Sequence, residues 1–450
     1  MVYEKYGWYT SKLQTNQYLY RVNKNYITMK QLSLFAIFAI TSAIAMAQDI
    51  EQVKTFAYIG QTAKAKEAVD KYLAIEKNTK KADGWFYKGY VYNQASKDSS
   101  KTLAESAALK AEAFEALKKY RELDPKNVLL NEQNNSPLFD IYVGYATELG
   151  IKAYNNKDLP TAFEYFKKGV EVHDYIYAGN LVGNNGFKFT ALDTTLTLYS
   201  AIAATEAKKP DDAAIFYKKL TDANLSDAQY LDAYQILADY YKNKKDTASF
   251  TEILEKGKKL YPKNNEYWIA LEIEAAVDGV AKPAVFAKYE ELMAKHPENY
   301  TIPYNYGVEL YHYIYSDQMK NANSNEYKAK LAEVMKKALA VKQTSEANFL
   351  LANFLYNNSI DISEEGRKLH GPKPDDIKKK KALEAESTKS MNESISYAES
   401  VVSMFASIAK PKPSEKINYR QSLNILKNIY ELKKDTAKAA SYDKLIKEAQ

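Results

Sequence analysis

The stretch Ser226–Pro262 constrains the fold of this chain more than any other. Its first half carries apolar side chains every three or four residues, at Leu231, Tyr234, Leu237, Ala238 and Tyr241. Its second half repeats this spacing, at Phe250, Ile253, Leu254, Gly257 and Leu260. Side chains spaced in this way share one face of an α-helix. Neither helix is long enough to be stable alone in water, so each has to bury its apolar face against a neighbour.

Local signals mark the ends of both predicted helices. Ser226 and Gln229 have the spacing of a capping box and predict the start of the first helix. Asp246 is suited to cap the N-terminus of the second helix, and Pro262 prevents its continuation. The stretch is therefore predicted to be an antiparallel helix pair.

Related patterns recur along the chain. Pro262 and Pro297 lie 35 residues apart and enclose a similar pair. The phrase Pro-Lys-Asn occurs at 125–127 and 262–264, and Lys-Lys-Asp-Thr-Ala occurs at 244–248 and 433–437. Helix pairs repeated at this period are typical of a solenoid, in which each pair buries its apolar faces against the next.

The repeated unit resembles the tetratricopeptide repeat (TPR), which has about 34 residues and a pattern of aromatic, Leu, small and Tyr positions in its first helix. Those positions are matched by Tyr234, Leu237, Ala238 and Tyr241, and the second half of the repeat is matched by Leu254, Gly257 and Pro262. Phe250 stands where the family has Ala, so the packing between the two helices is expected to differ there. The resemblance implies an all-α fold, a right-handed α-solenoid (a TPR-like superhelix) of roughly seven or eight stacked antiparallel helix pairs.

Departures from the period predict the domain organisation. Residues 48–356 are expected to form the solenoid, and residues 377–450 to form further helical repeats and capping helices. Residues 357–376 contain two Gly and two Pro residues that break the period, so they are predicted to be a flexible insertion. Shorter insertions are predicted near 93–102 and 316–328.

An apolar segment near the N-terminus has the form of a secretory signal peptide. Residues 29–47 combine the positive Lys30, an apolar run and an A-x-A site that ends at Ala47. Cleavage there would leave Gln48 as the first residue of the exported chain. The run is short for a membrane span, so no stable span is expected after cleavage, and an uncleaved anchor helix is the alternative. Residues 1–28 are interpreted as a mis-assigned upstream extension, with translation expected to start at Met29.

Composition restricts the compartment and the partners. The chain contains no Cys, which excludes disulfides, thiol nucleophiles and the lipid anchor of a bacterial lipoprotein. Residues 1–47 carry five basic side chains and one acidic side chain, so the net charge of +6 falls to +2 for the exported chain. A nearly neutral chain gives no support to nucleic-acid binding. We therefore expect an exported bacterial protein that is periplasmic or envelope-associated.

The sequence carries no recognisable catalytic, cofactor or metal motif. The four His residues are isolated from one another, at 173, 296, 312 and 370, and none stands in an H-E-x-x-H arrangement. The Gly- and Asn-rich segment 177–186 lacks the Gly-Lys-Ser/Thr ending of a phosphate loop. We predict no catalytic residues, no cofactor and no metal, and hence a protein that is not an enzyme.

The resemblance to TPR proteins supplies a candidate site, because TPR solenoids line a concave groove with the first helix of each pair. Equivalent positions are occupied here by Tyr90, Asn93, Tyr154, Gln235, Asp239, Tyr304, Tyr311, Asn353 and Tyr356. Tyr and Asn side chains suit extended peptide backbone and apolar side chains. Packing between helices is the alternative role for each of these residues.

Three functions are compatible with the sequence. The resemblance implies a non-enzymatic scaffold that binds a protein or peptide ligand through the Tyr/Asn-lined groove. The alternative is a cell-wall or carbohydrate-binding envelope protein, with its Tyr and Trp rings stacked on sugars. The third hypothesis is an enzyme that uses the 357–376 insertion.

Overall fold

The computed structural model describes residues 49–315, 324–369, 371 and 373–449. The predicted upstream extension 1–28, the signal peptide 29–47 and the cleavage site between Ala47 and Gln48 lie outside the described residues. Within the described ranges every regular element is helical, and no β-strand occurs. None of these helices is both long enough and apolar enough to cross a membrane. The chain divides into two compact units, of which unit 1 ends at Tyr261 and unit 2 begins at Pro262.

Except for one short helix, Val128–Glu132, the helices of unit 1 pair in chain order. A π-helical segment, Gly144–Leu149, joins the sixth and seventh helices into one continuous rod. The helices are α1 (Ile50–Tyr58), α2 (Thr62–Leu73), α3 (Ala82–Ala95), α4 (Leu103–Leu123), α5 (Val128–Glu132), α6 (Ser136–Val143), α7 (Gly150–Asn155), α8 (Leu159–Ala178), α9 (Thr194–Glu206), α10 (Pro210–Asp222), α11 (Leu231–Lys244) and α12 (Thr247–Leu260).

Unit 2 continues the same plan with four further pairs. Its helices are α13 (Asn265–Val277), α14 (Ala284–Lys295), α15 (Thr301–Ile314), α16 (Ser324–Val341), α17 (Ser345–Arg367), α18 (Pro374–Ala406), α19 (Pro413–Leu432) and α20 (Thr436–Glu448). One continuous apolar cluster runs through the first two pairs and α17, and it includes Val285, Tyr306, Leu331 and Phe354. The predicted all-α fold of stacked antiparallel helix pairs is confirmed within each unit.

The stretch Ser226–Pro262 forms the pair α11–α12. The side chains of Tyr234, Leu237, Ile253 and Leu254 are buried, as the apolar spacing predicts. The Asp246 carboxylate accepts a hydrogen bond from the Ser249 backbone N–H at 3.1 Å, which confirms the predicted cap of the second helix.

The predicted capping box at the start of α11 is wrong. A 3₁₀ turn, Ala228–Tyr230, precedes α11, and Tyr230 at the N-cap position makes no side-chain cap. The Tyr230 side chain is instead buried, so apolar packing sets the start of this helix.

Glycines at the small position of the first helix let the second helix of each pair approach closely. A Cβ atom on Gly89 of α3 would lie 2.5 Å from Leu117 Cγ of α4. A Cβ atom on Gly150 would lie 2.4 Å from Phe166 Cε1. The small positions that the repeat pattern predicted are therefore required by contact between paired helices.

The predicted insertion 357–376 differs from the observed structure in its first half. Residues 357–367 continue α17 as regular helix, and α18 begins at Pro374. The helix persists because Ser359 and Ile362 are buried and the hydroxyl of Ser387 on α18 donates to the Ser359 carbonyl at 2.8 Å. The insertion predicted near 93–102 overlaps the observed connection between two helices: α3 ends at Ala95, and α4 begins after a capping box of Thr102 and Glu105.

Candidate functional site

The first helices of unit 2 bring two of the predicted site residues together. Asn353 Nδ2 on α17 donates a hydrogen bond to the Tyr311 hydroxyl on α15 at 2.7 Å. Asn357, one turn further along α17, donates to the same oxygen at 3.2 Å. We call these three half-buried residues the Tyr–Asn cluster. The sequence analysis missed Asn357, although its i+4 spacing from Asn353 was a usable signal.

The Tyr–Asn cluster offers both kinds of hydrogen-bonding group to a ligand. The Tyr311 oxygen accepts two amide N–H groups, so its own proton is directed away from them. Each Asn side chain keeps a carbonyl oxygen as an acceptor. Burial raises the pKa of Tyr311, while the two amide N–H groups lower it in part, so the hydroxyl is neutral and a donor at physiological pH.

The surroundings of the Tyr–Asn cluster are aromatic and electrically balanced. The Tyr315 ring lies 4.8 Å from the Tyr311 ring. Burial raises the pKa of Tyr315, and the nearby Asp361 carboxylate raises it further. Asp361 itself pairs with Lys328 Nζ at 2.6 Å. The cluster therefore presents neutral polar groups beside aromatic rings.

Tyr304 and Tyr356 lie on the same two helices but make separate contacts. The Tyr304 ring stacks on Tyr300 with centroids 5.5 Å apart, and burial raises the pKa of its hydroxyl. Tyr356 packs against the apolar cluster that contains Ala398 and Leu426. Both side chains are half-buried, so each combines a packing contact with some exposed surface.

Asn93 is not a surface residue, and its prediction as a groove residue is wrong. Its side chain is 1% exposed, and its Oδ1 atom is 3.4 Å from Lys110 Nζ. Lys110 projects from α4 and is also 1% exposed. Asn93 therefore serves as the hydrogen-bond partner of a buried ammonium group. A single sequence position could not reveal this role, because Lys110 comes from another helix.

The other predicted site residues of unit 1 are half-buried. The Tyr90 ring lies 6.3 Å from the buried Phe86 ring. The Tyr154 ring faces Lys157 Nζ at 6.0 Å. Asp239 pairs with Lys242 at 3.2 Å, and Gln235 lies one turn before it on α11.

The described histidines have structural partners. His173 is buried with Nδ1 3.0 Å from Asp174 Oδ1, and its ring contacts Phe189. His296 Nε2 lies 2.9 Å from Glu272 Oε2. His370 lies outside the described residues. In the part of the chain that the structure describes, no group of three or more His, Asp or Glu side chains is placed to hold a metal ion.

The segment 177–186 comprises the last residues of α8 and part of the connection between α8 and α9. The Asn135 side chain donates to the Val182 carbonyl at 2.9 Å. Phe187 and Phe189 fold the connection onto Phe139 of α6, with ring centroids 5.9 and 5.1 Å away. The connection therefore packs against α6.

Comparison with known proteins gives matches among solved structures. A TPR-repeat protein from Bacteroides fragilis is 17% identical, with 61% of this chain and 94% of that chain covered and a TM-score of 0.29. The TPR domain of P58(IPK) is 13% identical, with 84% of this chain and 97% of that chain covered and a TM-score of 0.24. Yeast Tom70 is 11% identical, with 89% and 91% covered and a TM-score of 0.22.

No protein-family model matches the sequence, and no curated protein matches it. The class of the protein is therefore defined by its own geometry: a TPR-like α-solenoid in which close-packed antiparallel helix pairs follow one another along each unit.

Proposed function

We propose that this protein is a non-enzymatic scaffold that binds a protein or peptide ligand through the first helices of its helix pairs. The observation that carries the proposal is the Tyr–Asn cluster, a hydrogen-bonded and partly exposed polar group between α15 and α17. Extended polypeptide exposes one N–H donor and one C=O acceptor per residue, and the cluster offers a hydroxyl donor and amide acceptors to match them. Aromatic rings beside the cluster supply apolar contact area at low entropic cost.

Photo-crosslinking in intact cells tests this function. A crosslinking amino acid at exposed His312, next to the cluster, is expected to capture a defined polypeptide. The variant Asn353→Ala/Asn357→Ala removes both hydrogen bonds to Tyr311 and is expected to lower the crosslink yield about fivefold or more. Asn358→Ala, on the same helix, is the matched control and should leave the yield unchanged.

A second crosslinking position distinguishes specific binding at the cluster from non-specific crosslinking. Tyr58 on α1 is 92% exposed and is not one of the predicted site residues. Identical captured bands from positions 58 and 312, or an unchanged yield in the double variant, would contradict the proposal. Retention on purified cell-wall polysaccharide, lost in the double variant, would favour the carbohydrate-binding alternative.

We also propose that the protein is exported to the bacterial periplasm or envelope. The support is the pattern of residues 29–47, with its positive start, apolar run and A-x-A ending. Mass spectrometry of the native N-terminus should find Gln48 as the first residue. A native chain that retains residues 29–47 would reject cleavage, and peptides from residues 1–28 would reject the start at Met29.

A further inference from the structure

None of the predicted site residues lines a groove in unit 1, although Gln235 and Asp239 adjoin its lining residues Ile236 and Tyr240 in sequence. It has a free volume of about 380 Å³ and runs between α10 and α11. Ala213 and Ala214 form its floor, Ile236 and Tyr240 line one wall, and Lys208 stands at its rim. This volume falls within the usual range for a small ligand or a single large side chain.

Comparison with the preceding repeat explains why the groove exists. In α8 the fifth residue after the N-cap Asp158 is Phe163, which is fully buried. Its ring lies 5.9 Å from Phe216 and faces Lys209 Nζ at 4.8 Å, so it fills the space towards the next repeat. In α10 the fifth residue after the N-cap Lys209 is Ala214. The loss of the aromatic ring leaves part of the equivalent space unfilled.

Near the groove, the Asp211 carboxylate has partners, whereas the Lys208 ammonium group has none among the described residues. The Tyr240 hydroxyl donates to Asp211 Oδ1 at 2.8 Å, and Lys244 Nζ pairs with the same oxygen at 2.7 Å. The Asp211 carboxylate, which follows the lining residue Pro210, is therefore already paired. Lys208 is exposed and makes no hydrogen bond or ion pair through its side chain with any described residue. An ammonium group remains available at the mouth of an apolar groove.

We propose that this groove binds an aromatic side chain of a protein partner, with an adjacent carboxylate paired to Lys208. The chain itself places Phe163 at the equivalent position of the preceding repeat, so an aromatic ring fits the apolar floor and wall. Charge complementarity selects an acidic neighbour over a basic one. The inference rests on the proposed function, because it assumes a protein ligand, but it uses residues separate from the Tyr–Asn cluster.

Nuclear magnetic resonance with small probes tests the groove directly. The full chain, labelled at the Ile and Ala methyl groups, is titrated with N-acetylphenylalanine, which carries one aromatic ring and one carboxylate. The methyl signals of Ile236, Ala213 and Ala214 are expected to shift in a saturable manner. N-acetylphenylalanine amide, which lacks the charge, is expected to bind about two- to fivefold more weakly. Acetate, which lacks the ring, is expected to cause no shift there.

Three variants make the test decisive. Ala214→Phe restores the residue that α8 carries and is expected to abolish the shifts by filling the groove. Ile215→Phe is the matched control: its side chain is 57% exposed and does not line the groove, so binding should persist. Lys208→Gln is expected to bring the affinity for N-acetylphenylalanine down to that of its amide.

Each remaining outcome overturns the inference. It fails if the wild-type Ile236 signal does not shift at millimolar probe, if Ala214→Phe shifts as the wild type does, or if the acid and the amide bind equally. These readouts are independent of capture from His312 in unit 2. If the probe does not bind the groove but crosslinking from position 312 captures a polypeptide, only the groove proposal is rejected. If the probe binds saturably but no polypeptide is captured from position 312, the role of the Tyr–Asn cluster is rejected.

Discussion

Lys110 carries a charge in an environment that disfavours it. Its ammonium group is buried, makes one long hydrogen bond to Asn93, and forms no ion pair with the described residues. Its alkyl chain fits because Gly144 has no side chain, since a Cβ atom there would lie 2.2 Å from Lys110 Cε. The start of the π-helical segment and the buried lysine are therefore mutually dependent.

Lys110→Met is expected to stabilise the protein by about 1–2 kcal/mol, because an apolar side chain of similar length removes the desolvation cost of the ammonium group. Chemical denaturation with urea measures this change. Lys110→Ala serves as the control and is expected to destabilise, since it leaves a cavity. A Met variant less stable than the wild type would show that the bond to Asn93 outweighs desolvation.

The same residue gives a pH dependence whose sign can be stated. Burial lowers the pKa of Lys110 below its ordinary value of 10.5. Between the folded and unfolded pKa values the unfolded chain binds more protons, so the free energy of unfolding rises with pH in that window. From neutral pH towards pH 10, the wild type should gain stability relative to Lys110→Met. A constant difference between the two proteins would argue against a perturbed lysine.

Substitution by Ala is expected to affect stability differently at two glycines that occupy equivalent repeat positions. At Gly89 the new Cβ atom would meet Leu117 Cγ at 2.5 Å and the Ala113 carbonyl oxygen at 3.1 Å. At Gly307 it would meet Met335 Sδ, near the end of a flexible side chain. Gly89→Ala should cost about 1–3 kcal/mol from overpacking, and Gly307→Ala should be nearly neutral, since helix propensity offsets a small adjustment. Thermal unfolding of both variants checks the contrast.

At the scale of the element, α17 and α18 are joined by a row of serines. The hydroxyls of Ser387, Ser390 and Ser394 donate to the carbonyls of Ser359, Leu355 and Ala352, each at 2.8 Å. All three serines are buried. Small side chains allow close approach, and the bonds to backbone carbonyls satisfy the hydroxyls within the interface.

Ser394→Ala is expected to cost about 1 kcal/mol, the net worth of one buried hydrogen bond. Ser394→Leu should cost more, because the bulky side chain would force the two helices apart. Urea denaturation followed by circular dichroism measures both changes. Equal stability of the Ala variant and the wild type would mean that packing alone holds this pair together.

The helices were predictable from the sequence where the apolar spacing was regular. The cap at Asp246, the helix α18 and the small positions of the first helices all follow from local residues. The continuation of α17 beyond Tyr356 could not be predicted from the sequence, because the Gly and Pro residues of 357–376 suggested that the helix ends there. The Ser387 hydroxyl of α18 donates to the Ser359 carbonyl in that part of α17, and this support comes from a residue that is distant in sequence.

Contacts between residues distant in sequence also limited the prediction of the candidate site. Tyr311 and Asn353 were found because both occupy predicted groove-facing positions of first helices, and the structure joins them by a hydrogen bond. Asn93 occupies such a position too, but it is buried beside Lys110. Repeat register therefore predicts candidate positions, whereas contacts from a neighbouring helix decide which of them remain exposed.

At the scale of the whole molecule, the tyrosine content predicts sensitivity to alkali. Burial raises the pKa of Tyr92, Tyr234 and Tyr289 to about 12, above the ordinary value of 10.0. Their contribution to stability is complete below pH 10 and is lost as the pH rises from 10 towards 12, because the unfolded chain releases those protons first. Helix content should fall over this range, together with a cooperative rise in phenolate absorbance.

Tyr92→Phe provides the control for this prediction. The variant has one fewer buried phenol, so its stability should fall less steeply above pH 10 than that of the wild type. Its stability at neutral pH should be lower, since the Tyr92 hydroxyl donates to Asp70 at 2.6 Å and accepts from Lys66 at 3.0 Å. Phenolate titration at the ordinary tyrosine pKa without loss of helix would contradict the expected coupling.

The serine row has a mechanical consequence. The three bonds are spaced along an antiparallel helical hairpin whose closed end is the connection between Arg367 and Pro374. A load that separates the other end meets them one after another: first the bond of Ser394, then that of Ser390, and last that of Ser387. Such a hairpin yields by unzipping at low force, and it recloses from its turn when the load is released.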